Sequence, residues 1–88
     1  MNLIYTSQFK KDFKRVSGQQ KDISKLETVI EILMNGKKLE PQFRDHSLAG
    51  KWKNHRDCHI EPDWILIYRL TKDSLILERT GSHSELYK

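Results

Sequence analysis

The sequence predicts an α+β domain in which two helices cover one face of an antiparallel sheet, and three observations support this. Apolar residues recur at helical spacing in two segments of the first 35 residues. From Lys51 onward the spacing changes to the period of two that is typical of strands. A short apolar segment, Asn2–Tyr5, precedes the helices and is predicted to be an N-terminal strand.

The first helix is predicted between a polar cap and a glycine. Thr6 or Ser7 offers a side-chain oxygen to the first backbone N–H groups, and Gly18 ends the segment. Its apolar stripe has spacings of four and three and consists of Phe9, Phe13 and Val16. We expect this stripe to face the core.

The second helix is predicted from about Gln20 to the Asn35-Gly36 pair. About three residues join it to the first helix, so the two should pack as an antiparallel pair. Its apolar face consists of Ile23, Leu26, Val29, Ile30, Leu33 and Met34.

A loop over residues 37–50 is predicted to lead into a meander of three strands. Along the first strand, Trp52, Cys58 and Ile60 should share one face, while His55, Asp57 and His59 share the other. Trp64–Leu70 is apolar on both faces and reads as a central strand, and residues 75–80 form the last. The sheet face away from the helices should be partly open, and it is where we expect the chemistry.

The composition favours a single domain over residues 1–88 with an anionic partner. Sixteen Lys and Arg against twelve Asp and Glu give a net charge of +4, which suits nucleic acid or merely a soluble basic surface. The chain has no apolar run of membrane-spanning length, no apolar secretory leader and one cysteine. These features predict a cytoplasmic protein with no membrane association.

Three histidines and one aspartate stand where strands meet turns. His59 and Asp63 flank a tight turn, so the carboxylate could lie close to the imidazole and prepare it for proton transfer. His46 precedes the meander and His83 follows its last strand. Each residue alone is more simply a surface or turn residue, but together they suggest acid–base catalysis. His55 is assigned to the surface or to RNA contact.

No metal site and no cofactor are predicted. Cys58 and His59 are neighbours on a strand and should point to opposite faces, and Cys58 should lie in the core. The chain also lacks a glycine-rich phosphate loop and a nucleophile elbow. Proton transfer without a protein nucleophile fits RNA, whose 2′-hydroxyl can attack the adjacent phosphorus.

Three segments carry a resemblance to a known family. They are Asp45-His46-x-Leu48-x-Gly50-x-Trp52, Arg56-Asp57-x-His59-Ile60-x-Pro62-Asp63-Trp64-Ile65-Leu66-Ile67-Tyr68 and Arg79-Thr80-Gly81-Ser82-His83-x-x-Leu86. Together with the helix pair, they resemble the YafQ-type branch of the RelE/ParE toxin superfamily. The resemblance implies a RelE-like domain and a type II toxin that enters the ribosomal A site and cuts mRNA.

The resemblance also implies that His46, His59, Asp63 and His83 are catalytic, and it leaves open which group removes the 2′ proton. We assign their individual roles as follows. His83 would be the general acid, His59 and Asp63 would lie on the base side, and His46 would orient the phosphate. Trp64 and the aromatic near the C-terminus are functional positions in that branch, although Trp64 equally suits the core; the second aromatic is Tyr87 here, where phenylalanine is more usual. The residues predicted to contact RNA are Lys51, Lys53, Arg56, Trp64, Arg79 and Tyr87.

The partners implied by the resemblance are a cognate antitoxin, the ribosome and mRNA. Operator DNA would be reached only indirectly, through the antitoxin complex, and the toxin alone should be a monomer. Two alternatives stay open at this point. One is a non-catalytic ParE-like toxin that binds DNA gyrase, and the other is a small basic RNA-binding module.

Overall fold

The computed structural model of the protein describes residues 1–87 as five strands, three α-helices and two short 3₁₀ turns. In chain order, the elements are β1 (Asn2–Tyr5), α1 (Ser7–Ser17), α2 (Ile23–Met34), a 3₁₀ turn (Pro41–Phe43), β2 (His46–Ser47), a second 3₁₀ turn (Gly50–Trp52), β3 (Arg56–Glu61), β4 (Trp64–Leu70), β5 (Ser74–Gly81) and α3 (His83–Leu86). The predicted α+β class is confirmed. The second helix begins at Ile23, after an Asp22 cap, rather than near Gln20.

The five strands form one sheet in the order β1-β5-β4-β3-β2. The three-stranded antiparallel meander is confirmed as β3, β4 and β5. The N-terminal strand β1 joins it by pairing with β5 in parallel, with Asn2 opposite Ser74. Because β1 and β2 are the outer strands, each leaves one edge without a partner strand within the described residues.

The main core lies between the helices α1 and α2 and one face of the sheet. Phe9 and Val16 from α1 and the apolar face of α2 pack against alternate residues of the central strands. The strand residues in this cluster are Cys58, Ile60, Trp64, Leu66, Tyr68, Leu75 and Leu77. The prediction that the first two helices cover one sheet face is confirmed.

One position of the predicted α1 stripe is wrong. Phe13 is 36% exposed, whereas Asp12 is fully buried between Phe9 and Val16. The structure tolerates a buried carboxylate here because basic groups and a backbone N–H surround it. Phe13 instead lies beside a surface groove between the two helices.

The segment before the meander also differs from the prediction. Residues 37–50 contain the first 3₁₀ turn and the two-residue strand β2, and the following strand starts at Arg56 rather than Lys51. Asn54 has left-handed backbone, with φ of 70°, and this turn separates Trp52 from the strand. Trp52 therefore does not share the Cys58 face but packs with Ile65 and Ile67 on the opposite one.

The second sheet face carries a smaller apolar cluster and is only partly open. Ile65 and Ile67 are buried there beneath Leu86 of α3, with Leu48, Trp52 and Tyr87 around them. The sequence pattern did not predict this third helix, which follows Gly81. In residues 1–87, none of the helices is long and apolar enough to cross a membrane.

Candidate active site

The site is built on the second sheet face, where the short strand β2 pairs with β3. This pairing sets His46 opposite Asp57. Asp57 is only 3% exposed, while the His46 side chain is 55% exposed. His59 lies two residues beyond Asp57 on the same face of β3, about 7 Å along the strand. A buried carboxylate thus lies behind two histidines that water or a substrate can reach.

The contacts of His46 define its tautomer. Its Nδ1 lies 2.8 Å from the Arg44 carbonyl oxygen and 3.1 Å from Asp57 Oδ1. Both neighbours are acceptors, so Nδ1 carries a proton and donates to the carbonyl. The contact with Asp57 Oδ1 lacks hydrogen-bond alignment, and this buried oxygen has no other partner within the described chain. The Nε2 atom of His46 is left to act on a ligand.

Tyr87 completes the surroundings of Asp57. Its hydroxyl donates to Asp57 Oδ2 at 2.6 Å, a length typical of a bond to a carboxylate. Burial raises the pKa of the Tyr87 phenol, and the hydrogen bond to Asp57 raises it further, so the group stays a proton donor at neutral pH. The hydroxyl that distinguishes this position from the more usual phenylalanine therefore has a defined role.

His59 is oriented by a backbone carbonyl rather than by Asp63. Its Nδ1 lies 3.2 Å from the Pro62 carbonyl oxygen, so this nitrogen also carries the proton and Nε2 is left available. Among residues 1–87, the His59–Asp63 pair expected across the turn is not formed. This expectation was wrong because the tight turn brings the Pro62 carbonyl, and not the carboxylate, to the ring.

Asp63 instead holds the element that carries His83. Its Oδ1 accepts a hydrogen bond of 2.9 Å from the His83 backbone N–H, which lies at the start of α3. The imidazole of His83 is exposed, and its ring centre lies 5.1 Å from that of Tyr87. Asp63 therefore links the β3–β4 turn to α3, and His83 stands beside the Tyr87–Asp57–His46 chain.

Two of the predicted RNA contacts form a basic rim beside this face. Lys51 and Lys53 are exposed at the second 3₁₀ turn, with Lys51 Nζ 5.7 Å from the centre of the Trp52 ring. Arg56 is paired with Asp45, and this hydrogen bond is the main reason why the pKa of Arg56 is raised. The Arg56 side chain is 40% exposed, but it alternates with Asp57 along β3 and lies on the sheet face of Cys58 and Tyr68, away from the histidines.

Trp64 and Arg79 are not placed as RNA contacts. Trp64 is fully buried in the main core, and its indole N–H donates to Thr80 Oγ1 at 2.9 Å. Arg79 donates to the buried carboxylate of Asp12 from Nε at 2.6 Å and from Nη2 at 3.1 Å. A buried indole has no exposed face on which an RNA base could stack. A guanidinium that already donates two hydrogen bonds to a carboxylate has few N–H groups left to bind a phosphate. Both assignments are therefore corrected to structural roles.

The structure also places the side chains whose chemistry suits a metal ligand or a nucleophile. Within residues 1–87, no group of three or more His, Cys, Asp or Glu side chains is arranged to bind one ion. Cys58 is fully buried, and burial strongly raises the pKa of its thiol, so it is neither a ready ligand nor a nucleophile.

Asp57 is the site residue that the sequence prediction left out. The period of two already placed it on the face of His59, but its contacts with His46 and Tyr87 span 11 and 30 residues of chain. A buried carboxylate beside histidines that reach solvent is the feature that identifies it.

Replacement of Tyr87 by phenylalanine tests the Tyr87–Asp57 contact. The change removes the donor to a buried carboxylate, so we expect the free energy of unfolding to fall by about 1–3 kcal/mol. Urea unfolding of both proteins measures the difference. Tyr5→Phe, at a tyrosine that is 45% exposed, is the matched control and should change stability little. Equal stabilities for Tyr87→Phe and the wild type would show that this hydrogen bond contributes nothing.

Comparisons with known proteins place the chain in a family. Residues 1–88 match the family described as the bacterial toxin of type II toxin–antitoxin system, YafQ. The mRNA interferase toxin YafQ of Escherichia coli K12 is 45% identical over 87 residues, which are 98% of this chain and 95% of that protein.

Two solved structures are also similar. One, the E. coli DinJ–YafQ complex, is 43% identical with a TM-score of 0.93, covering 99% of this chain and 98% of that one. The other, a copper-bound mutant toxin from Helicobacter pylori, is 47% identical with a TM-score of 0.94 and 99% coverage of both chains. The chain therefore belongs to the YafQ family of type II toxins, as the resemblance of its three motifs indicated.

Proposed function

We propose that this toxin is a ribosome-dependent mRNA endoribonuclease that acts in the cytoplasm and inhibits translation. The observation that carries the proposal is the exposed sheet face on which His46 and His59 each present Nε2, beside the imidazole of His83. Similarity to a protein named as an mRNA interferase supports the choice of mRNA as substrate. The net charge of +4 and the basic rim at Lys51 and Lys53 favour binding of a polyanion.

The proposed reaction is attack of an RNA 2′-hydroxyl on the adjacent phosphorus. His59 Nε2 removes the 2′ proton, the new bond forms between the 2′-oxygen and phosphorus, and the bond to the 5′-oxygen breaks. His83 protonates the departing 5′-oxygen, and His46 contacts the phosphate oxygens. The products are a 2′,3′-cyclic phosphate and a 5′-hydroxyl. This assignment keeps the predicted roles of the three histidines.

Asp63 has a different role in this proposal from the one expected on the base side. Because its carboxylate accepts the His83 backbone N–H, it positions α3 and thus the general acid. Asp57 similarly positions His46 and Tyr87 from behind the site. Neither carboxylate needs to touch the RNA in this arrangement.

Cleavage of a defined mRNA with and without translating ribosomes tests the proposed function. We expect cuts only on ribosomes, with 2′,3′-cyclic phosphate and 5′-hydroxyl ends. Cleavage of the mRNA in the absence of ribosomes would show that the activity does not depend on the ribosome. No cleavage in either condition, combined with growth arrest by the protein, would favour a gyrase-binding toxin, and inhibition of gyrase in supercoiling assays would establish that alternative.

We also propose that a cognate antitoxin binds the groove between α1 and α2. An E. coli relative of this chain has been solved as a complex with its antitoxin DinJ. The groove has a volume of about 330 Å³ and is mostly apolar, with Tyr5, Phe9 and Phe13 on one side and Ile23 and Ile30 on the other. It adjoins the outer strand β1, where Ile4 and Tyr5 are 44% and 45% exposed. An amphipathic antitoxin segment would cover these residues.

Phe13→Asp tests this surface. Placing a carboxylate in the apolar groove should weaken antitoxin binding by about 10- to 100-fold while mRNA cleavage by the free toxin is unchanged. Calorimetric titration of the toxin with its antitoxin measures the affinity. The control is Leu70→Asp, because Leu70 is also exposed, at 44%, but lies outside the groove. If Phe13→Asp and Leu70→Asp bind the antitoxin equally well, the groove is not the binding surface.

A further inference from the structure

We propose that Asp12, Arg15 and Glu85 form a positioning network that fixes α3, and with it the imidazole of His83, against the end of the sheet. The inference rests on the proposed role of His83 in cleavage. None of the three residues belongs to the site predicted from the sequence, and two of them lie on α1, which the sequence assigned to the scaffold.

Asp12 is the buried anchor of this network. Its side chain is fully buried, yet it accepts five hydrogen bonds. Oδ2 accepts hydrogen bonds from Arg79 Nε at 2.6 Å and from the Thr80 backbone N–H at 3.2 Å. Oδ1 accepts hydrogen bonds from Arg15 Nη1 at 2.9 Å, from Arg79 Nη2 at 3.1 Å and from Gln8 Nε2 at 3.2 Å. The carboxylate thereby ties α1 to the last residues of β5, directly before α3.

Arg15 extends the connection from α1 to α3. One end of its guanidinium pairs with Asp12, and Nη2 donates to the Thr80 carbonyl oxygen at 2.8 Å. Its Nε lies 3.1 Å from Glu85 Oε2 as an ion pair that lacks the alignment of a hydrogen bond. One side chain therefore contacts α1, β5 and α3 at the same time.

Glu85 transmits this contact to the start of α3. Its Oε1 accepts the Ser82 backbone N–H at 2.7 Å, while Ser82 Oγ accepts the Glu85 backbone N–H at 3.2 Å, which completes a capping box. His83 is the first residue of the helix between these two partners. Hydrogen bonds to Ser82 and the ion pair with Arg15 lower the pKa of Glu85, so it is ionised at neutral pH.

A four-residue helix cannot hold its own position. The few hydrogen bonds of a single helical turn do not offset the conformational entropy that is lost when it forms. Contacts with the rest of the protein therefore determine where α3 lies. Leu86 packs on the sheet, Asp63 holds the His83 N–H, and the Arg15–Glu85 pair holds the side facing α1. Loss of this last contact should leave the fold in place but broaden the range of His83 positions.

Gly81 is part of the same arrangement. A Cβ atom at this position would lie 2.5 Å from Arg15 Nη2 and 2.9 Å from Glu85 Oε1. The absence of a side chain thus lets the two charged groups meet beside the backbone. The added methyl group in Gly81→Ala should separate the Arg15 guanidinium from the Glu85 carboxylate without removing either charge.

The test measures kcat, KM and melting temperature for Arg15→Met, Glu85→Gln and Gly81→Ala with the full chain on programmed ribosomes. Because misplacement of a reacting group affects the chemical step, we expect kcat to fall by about 10- to 100-fold. KM should stay within about twofold of wild type, since the basic rim is intact. Melting of Glu85→Gln should change little because the Arg15–Glu85 pair is about one third exposed. Arg15→Met and Gly81→Ala should melt at lower temperature than wild type, because the first removes a partner of the buried Asp12 and the second places a Cβ against Arg15 Nη2.

Two controls and a rescue separate positioning from a general charge effect. Lys72→Met and Glu31→Gln remove exposed charges from the β4–β5 turn and from α2, and should retain wild-type kcat. Guanidinium ions at low millimolar concentration should restore part of the kcat of Arg15→Ala. Unchanged kcat in folded Arg15→Met, Glu85→Gln and Gly81→Ala would overturn the proposal. If Arg15→Met does not fold, the other two variants still decide it.

A spectroscopic measurement distinguishes failure of this inference from failure of the proposed function. In the RNA-free protein, the His83 ring signal in ¹H–¹³C spectra should shift or broaden in Arg15→Met and stay unchanged in Lys72→Met. If the wild type does not cleave mRNA but this shift occurs, the positioning holds and the endoribonuclease proposal fails. If cleavage occurs and the His83 signal is the same in all variants, the network does not position His83.

Discussion

Replacing His83 by alanine is expected to lower the rate of mRNA cleavage by about 10²- to 10⁴-fold while leaving the protein folded, the largest functional effect that the structure predicts. The imidazole is exposed, and α3 is held through the His83 backbone N–H rather than through its ring. Alanine retains that N–H, so Asp63 keeps its hydrogen bond. The loss should therefore come from the missing proton donor. Single-turnover cleavage on programmed ribosomes, together with thermal melting, measures both quantities.

The matched control for His83 is the next residue along the same helix. Ser84 is exposed, and Ser84→Ala should cleave mRNA within about twofold of the wild-type rate. Folded His83→Ala that cleaves at the wild-type rate would exclude His83 as the general acid. The scissile 5′-oxygen would then need a donor elsewhere on the same face, where Tyr87 is held by Asp57 and His46 faces solvent.

The sequence predicted the main core well because it depends on local periodicity. Alternate residues of β3, β4 and β5 and one face of α2 pack together as their spacing indicates. It failed at α1, where the same periodicity predicted a buried Phe13 and gave no sign that Asp12 is buried. Asp12 can be buried because its carboxylate pairs with Arg79, which is 67 residues away in the sequence. The residues around Asp12 give no indication of that pairing. A buried charge becomes tolerable only when such a distant partner is known.

The prediction of the site was limited in a similar way. The period of two placed His59 on the face of Asp57, and His46 and His83 could be placed only where strands meet loops. The acceptors that the His46 and His59 rings face are carbonyls set by turn geometry. The spacing of His59 and Asp63 predicts that they face each other across the turn, but it carries no information on contacts with α3. The real partner of Asp63 lies on α3, a helix that is too short to show any periodicity. The spacing of Ser82 and Glu85, a capping box, was the one readable signal for that helix.

Asp12→Asn should produce a larger loss of stability than Tyr87→Phe. The change removes the negative charge that pairs with Arg79 and Arg15, so both cations lose their buried partner. Breaking a buried ion pair by removing one member costs roughly 3–5 kcal/mol. The lower end of that range is expected here, because the side chains of Arg79 and Arg15 are 23% and 34% exposed and can gain water contacts. Urea unfolding of both proteins near neutral pH measures the difference.

The pH dependence of this difference identifies the carboxylate as its source. Burial alone would raise the pKa of Asp12, but hydrogen bonds from Arg79, Arg15, Thr80 and Gln8 outweigh it and lower the pKa below its ordinary value of 3.8. A lowered pKa in the folded state means that the stabilisation is complete above the unfolded-state value and is lost as the pH falls through the folded-state value. The advantage of wild type over Asp12→Asn should thus be constant between about pH 5 and 8 and shrink below about pH 4. Other acidic groups are common to both proteins and cancel in the comparison. A difference that persists unchanged to pH 2 would mean that the charge on Asp12 does not provide the stability, and that shape and hydrogen bonding alone hold α1 to the end of β5.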